Sequence, residues 1–468
     1  MIADSLGLIG LPGLVVRELM LFAAVGFVVF GIGDFAIDLV WLVRGAWRRA
    51  FILPRVGRGD AAGLVAARPG TIAIFVPAWN EATVIGAMVR NALATLPDGD
   101  WHIQVGAYPN DPATIAAVEA IDDDRVRLTI GDRPGPTTKA DCLNTLWHAL
   151  LAQENRRGRR VKAIVLHDAE DVIHPNEPAL FDAMIERFAM VQIPVLPLPE
   201  PRSRWVAGHY LDEFAESHGK TLVVREVLGA GIPAAGVGCA FERTMLGEIA
   251  AARGGNPFDA DSLTEDYEIG LRIAERGGRA AFVRIAATPG GPLVAVRAHF
   301  PQDLGAAVRQ KSRWIAGIAL SGWDRMGWRG GFVETWMRLD DRRPPLAALV
   351  TLAAYAALLG NVVLATTERV MGVVLLPPLG DAMRTLIAVC SFLLVWRLAM
   401  RAWLVGRAYG PIEALRSIPR AVVGNIIAMM ATRRALGVYR RARRDGVVRW
   451  DKTDHRFPAN WPEERRAS

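Results

Sequence analysis

The sequence predicts an α/β fold. A mostly parallel sheet with helices on both faces is expected between transmembrane helices, one N-terminal and two C-terminal, with interfacial amphipathic helices behind them. Three observations lead there. Residues 71–299 alternate short β-branched apolar runs with helical stretches, the order of parallel strands joined by crossover helices. Apolar stretches at 19–43, 346–365 and 385–405 bracket that region, and about 20 such residues cross a bilayer. The chain is 51% hydrophobic and 22% charged, a balance that excludes a disordered tail, a collagen and a small disulfide scaffold.

Residues 19–43 read LMLFAAVGFVVFGIGDFAIDLVWLV. The stretch is longer than a signal-peptide core and lacks a basic run before it, so it reads as a retained anchor over residues 1–43. Arg44, Arg48, Arg49, Arg55 and Arg58 follow, which places that end in the cytoplasm and the N-terminus outside. Asp34 and Asp38 share one helical face inside the span. They lie either near the interface or against a water-filled cavity.

The catalytic-sized region, 60–340, begins with the strand TIAIFV, 71–76, which ends at Pro77; Asn80 is then a suitable cap for a helix to about Leu96. Further strands are expected at 101–108, 125–130 and 161–168. Ligands in such sheets bind at the carboxyl ends of strands. That rule selects Pro77–Glu81, Tyr108–Asp111 and Asp168–Asp171.

Four motifs carry chemistry. The first is PAWNE, 77–81. The second is HDAED, 167–171, whose three carboxylates repel one another unless a cation sits among them. Oxygen ligands suit Mg²⁺ or Mn²⁺, although a solvated acidic turn has the same composition. The third is LTEDYEIGLRI, 263–273, where Thr264 can cap a helix with Glu265 and Asp266 in its first turn. Capping alone accounts for those acids as well as catalysis does. The fourth is RQKSRWIAG, 309–317, with Gln310, Arg313 and Trp314 on one helical face. An amide, a guanidinium and a flat ring suit a diphosphate beside a sugar, and an amphipathic membrane-proximal helix reads the same way.

Spans are expected at 346–365 and 385–405, within a unit at 346–405, with Arg397, Arg401 and Arg407 marking the inner end. In the remainder, 411–468, the apolar core AVVGNIIAMM has only ten residues and is surrounded by arginines. It is too short to span, so amphipathic helices on the inner membrane face, held by anionic lipid, are expected over 411–449. Lys and Arg exceed Asp and Glu by 55 − 48 = 7. Most of that surplus lies at the inner edges of the spans and in 411–449, which speaks for membrane attachment and against nucleic acid. Cys142, Cys239 and Cys390 form no CxxC pair, so neither a zinc site nor a disulfide framework is expected and a reducing compartment is.

In this order, PAWNE, the DxD-like cluster, TED and QxxRW resemble an inverting family 2 glycosyltransferase of the GT-A fold. With spans on both sides the chain resembles the membrane-bound branch that includes cellulose and hyaluronan synthases. MIADSL at the start, HDAEDVIHP and WDKTDHRFP, 450–458, are similar to the NfrB-type inner-membrane glycosyltransferases, first known through phage adsorption. In that branch a soluble domain binding cyclic di-GMP often follows the last segment. The resemblance implies that Pro77, Trp79 and Glu81 line the uridine pocket and that Lys139 contacts the nucleotide or diphosphate. Asp168 would be the first acid of the DxD-like motif and Glu170 the metal ligand, with Asp171 as the other candidate. Asp266 would be the general base, and Gln310, Arg313 and Trp314 would close over diphosphate and acceptor. Asp111 stands where relatives carry a second nucleotide acid, in a loop that departs from their DDGS pattern. GVGCAFERT, 236–244, is similar to the acceptor-side loop, with Cys239 read as a packing residue.

The expected partners are a UDP-sugar, a divalent cation (Mg²⁺ or Mn²⁺), a growing glycan or lipid-linked acceptor, and membrane lipid. The expected place is a bacterial inner membrane, multi-pass, with the catalytic domain cytoplasmic and an envelope or exported polysaccharide as product. The alternatives are transfer of one sugar to a lipid carrier, or a catalytically inactive scaffold or receptor component. Three spans can hardly ring a hydrated polymer, so extrusion would require the interfacial helices, a second copy forming a homo-oligomer, or a partner; an outer-membrane export partner is implied by the resemblance.

Overall fold

Strand β1, Ile72–Pro77, is buried at every position. Ile72, Ile74 and Val76 face one apolar cluster, with Ile85, Met88 and Val89 of the Ile85–Thr95 helix. Ala73 and Phe75 face the other, with Leu143, Leu146 and Trp147 of the Lys139–Arg157 helix. A strand covered on both sides must be apolar at successive positions, and TIAIFV is. The computed structural model describes residues 2–376, 378–445 and 456–458.

β1 pairs in parallel with β2, Trp101–Ala107, and with β4, Ala163–Leu166, while β2 pairs in parallel with β3, Val126–Ile130. Beyond β4 the sheet continues through β6, Cys239–Glu242, then β5, Met190–Gln192, then β7, Ala280–Phe282. β6 runs antiparallel to both neighbours, and β5 and β7 are parallel. The first four strands fall within two residues of their expected ends.

Asn80 does not cap the helix expected after it. It takes φ +55°, in the left-handed region, and the helix begins at Ile85 with no side-chain cap. Its N–H donates to Asp111 Oδ2 at 2.5 Å. Asp111 also caps the Pro112–Glu119 helix by accepting from Thr114 N. One carboxylate therefore joins the loops that follow β1 and β2.

The expected spans fall on the helices Ile2–Trp47, Pro344–Met371 and Asp381–Tyr409. The first packs along the other two. Its two carboxylates are paired. Asp34 meets Arg343 at 2.6 Å and also Arg397. Asp38 pairs with Lys220 and accepts from Trp396 Nε1 at 2.8 Å. They border a cleft of about 60 Å³ with Glu216 and Asp340, so the acids of the span tie it to the α/β region.

The tail differs from the expectation of amphipathic helices lying on the membrane face. Residues Pro411–Asp445 form one helix. By length and composition it joins the other three as long and apolar enough to cross a membrane. Counting arginines overstated its polarity. Arg420 is fully buried, paired with Asp212 at 2.6 Å and with Glu413. Ile427, Ala431 and Ala435 are also fully buried, against Ala307, Val308 and Ile315. The segment 450–458 is described only from residue 456 onward.

The Gly208–Glu216 helix and its continuation to Thr221 gather these contacts. Asp212 faces Arg420, Glu213 faces Lys311, Glu216 faces Arg401 and Lys220 faces Asp38.

Candidate active site

The loops at the carboxyl ends of β1 and β4, the start of the Glu265–Glu275 helix and one face of the Leu304–Ile315 helix enclose a cavity of about 550 Å³. Pro77 and Glu81 line it from the first motif, and Asp168, Glu170 and Asp171 from the second. Lys139 opens the helix that Thr138 caps. Its ammonium lies 2.5 Å from Asp168 Oδ1, in the same cavity. Burial opposes the charge of Lys139, but Asp168, Glu265 and Asp266 outweigh it, so its pKa is raised and the cation is fixed.

The acidic turn is internally braced. His167 is fully buried at the end of β4, with Nδ1 3.0 Å from Asp171 Oδ2 and Nε2 2.9 Å from Glu177 Oε2. Burial alone would lower its pKa, yet Glu177 and Asp171 hold it at about 10. Asp171 Oδ2 also accepts from Asp168 N at 2.9 Å. Of the two candidate metal acids, Asp171 is thus committed to the fold of the turn. No group of three metal-ligating side chains converges among the described residues. The remaining donors, Asp168 and Glu170, are oxygen ligands facing a cavity large enough for a diphosphate. One or two carboxylates completed by phosphate oxygens suit Mg²⁺ or Mn²⁺, so the donor set fits.

Asp266 enters the cavity opposite the turn. Its Oδ1 accepts from Tyr267 N at 2.7 Å. Gly236, at φ +78°, lies so near that a Cβ there would stand 2.3 Å from Asp266 Oδ2. Burial raises the pKa of Asp266, against Lys139. Burial and the charge of Asp266 push Glu265 up to about 7. Burial thus raises the pKa of both adjacent acids, which favours proton uptake at this end of the cavity. Thr264 precedes the helix but makes no capping bond; its side chain packs against Gly317.

Asp303 caps the Leu304–Ile315 helix by accepting from Ala306 N at 2.8 Å. Gln310, Arg313 and Trp314 all line the cavity. The ring of Trp314 stands edge-on to Tyr210, centroids 6.2 Å apart, and Lys311 pairs with Glu213 behind it. The fourth motif therefore borders the cavity on one side and is tied to the Gly208–Glu216 helix on the other.

Two expected residues lie elsewhere. Trp79 is outside the lining, edge-on to Tyr108 at 5.1 Å, and Asp111 is occupied in joining loops. Cys239 is fully buried in the sheet core, where burial raises its thiol pKa, in keeping with packing. Sequence reasoning passed over Glu265 as a cap-turn acid and did not anticipate that Arg456 borders the cavity, with Phe457 packed on the sheet core. Both stand inside quoted motifs, TED and WDKTDHRFP. The His167–Glu177 pair had no sequence signal beyond the two letters.

Residues 69–317 match the family described as glycosyltransferase like family 2. The chain belongs to that family. Among relatives of this family 2 glycosyltransferase are Bacteriophage adsorption protein B of Escherichia coli K12 and Bacteriophage N4 adsorption protein B of Escherichia coli O157:H7. Each is 36% identical over 455 residues, covering 92% of this chain and 60% of the relative. The glycosyltransferase thus spans about 60% of the length of the curated relatives it matches. Its fold resembles the mannosyltransferase PcManGT from Pyrobaculum calidifontis, solved with GDP-Man and Mn²⁺. The TM-score is 0.50 at 16% identity, covering 86% of this chain and 98% of that one. The GT-A-type sheet flanked by apolar helices is therefore as expected from the sequence, with three such helices on the C-terminal side.

Proposed function

We propose that the protein transfers a hexosyl or N-acetylhexosaminyl unit from a UDP-sugar with inversion, building an envelope or exported polysaccharide at a bacterial inner membrane. The observation that carries this reading is the meeting of Asp266, Lys139, Asp168, Glu170 and the Gln310–Arg313–Trp314 face around one cavity. Inversion is a single in-line displacement at the anomeric carbon. Asp266 takes the proton of the attacking hydroxyl, and the transition state is oxocarbenium-like. Lys139 and Arg313 receive the charge that develops on the departing diphosphate. Glu170 and Asp168 would hold a divalent ion, which would supply further charge neutralisation there. Trp314 offers a flat face to the acceptor sugar, and Pro77 and Glu81 border the nucleotide. The Mn²⁺ and GDP-Man named with PcManGT support a nucleotide-sugar site of this general kind in the fold.

The four long apolar helices support membrane residence. Arginines after the first span support a catalytic domain on the cytoplasmic side. The test is nucleotide release by inverted vesicles across a panel of UDP-sugars, with GDP-mannose as the contrasting donor. Release with one UDP-sugar and accumulation of polymer supports the reading. A single added sugar on lipid moves it to carrier glycosylation, and no release with any donor favours an inactive scaffold.

A further inference from the structure

His167 stands immediately before the first acid of the cavity turn and reaches none of the space a substrate would use. It is fully buried, as are its partners, Asp171 at 3% and Glu177 at 1% exposure. Each ring nitrogen faces a carboxylate, Asp171 at 3.0 Å and Glu177 at 2.9 Å. Each carboxylate also holds backbone. Asp171 Oδ2 accepts from Asp168 N at 2.9 Å, and Glu177 Oε1 accepts from His174 N at 2.7 Å. The ring therefore links the turn carrying Asp168 and Glu170 to the start of the Glu177–Met184 helix. A buried imidazole between two carboxyl groups costs desolvation that an apolar trio of similar volume would avoid, so stability alone is a poor reason for it. Its place, braced against the one turn whose two remaining carboxylates face the cavity, gives a better one.

We propose that His167, held by Glu177, is a positioning residue for sugar transfer: through Asp171 it sets the Asp168–Glu170 turn to receive the divalent ion that accompanies the diphosphate. The inference rests on the metal-assisted reading above. Ligating carboxylates must be held to about 0.5 Å, and groups that orient ligands typically change metal affinity by about 10–100-fold when removed.

The experiment measures Mn²⁺ binding to the purified full chain in detergent with UDP present, from the electron paramagnetic resonance signal of free Mn²⁺. Glu177→Gln and His167→Leu should each raise the Mn²⁺ Kd by about tenfold or more. UDP binding without metal should stay at the wild-type value. His167→Gln keeps an N–H for Asp171 and should fall between wild type and His167→Leu. Glu177→Gln preserves size and one hydrogen bond, so it carries the test if His167→Leu does not fold. Folded variants that bind Mn²⁺ like wild type, with only a lower melting temperature, overturn the inference and leave the transferase reading intact. Wild-type protein that binds no Mn²⁺ with UDP overturns the metal reading itself, and this inference with it.

Discussion

Asp266 holds its place because Gly236 has no side chain. The Gly236 backbone passes so close that a single added carbon would stand 2.3 Å from the carboxylate oxygen. No Cβ tolerates that approach, and φ +78° is a further penalty for any other residue.

Gly236→Ala should therefore displace the carboxylate while leaving the nucleotide side of the cavity alone. A misplacement near 1 Å costs about a hundredfold in rate. Turnover in the nucleotide-release assay should fall by that order with UDP affinity retained. Wild-type turnover in Gly236→Ala would show that Asp266 is not held from this side.

Asp266→Asn keeps the shape and removes the proposed base. Transfer should drop at least about a hundredfold, with UDP binding by calorimetry nearly unchanged. Near-normal turnover would remove Asp266 from the proposed mechanism.

The acid pair predicts a pH dependence. Glu265 is raised to about 7 and Asp266 is raised as well. Glu265 takes up a proton as pH falls through about 7. Asp266, raised by burial, can accept from the acceptor hydroxyl only while ionised, so turnover should decline as pH falls through the pKa of Asp266. Glu265→Gln removes the neighbouring negative charge, favours ionised Asp266 and should move the acid limb to lower pH. A limb that stays in place would assign the titration to another group.

Arg420 predicts a stability effect. It is fully buried between Asp212 and Glu413. Arg420→Met strands the buried Asp212, while Glu413 keeps Arg416, and should destabilise by about 3–5 kcal/mol. Adding Asp212→Asn should recover part of the lost melting temperature. Equal melting of wild type and Arg420→Met would show that the pair contributes nothing to seating the last helix.

The readable parts of this chain were those with a local physical signal. TIAIFV announced a central strand because both of its faces are covered, and the four motifs stand at the ends of elements whose periodicity is plain. β5 and β7 have three residues each, too few to repeat an alternation. Asn80 looked like a cap from its neighbours, but its amide is claimed by Asp111, distant in sequence. Arg420 counted as surface charge until Asp212, in another helix, neutralised it. The bracing of Asp171 by His167 was legible only halfway, since spacing showed a cluster of acids and not which one the ring would take. For Asn80 and Arg420 the missing information was a partner far away along the chain.

The Gly208–Glu216 helix gives the molecule a mechanical character. Its charges, with Lys220 beyond it, are fastened to four separate helices, including the one that carries Gln310, Arg313 and Trp314. The floor of the cavity and the membrane helices are bolted to one beam. One short helix thereby fixes the register between the Gln310–Arg313–Trp314 face of the cavity and three of the long apolar helices.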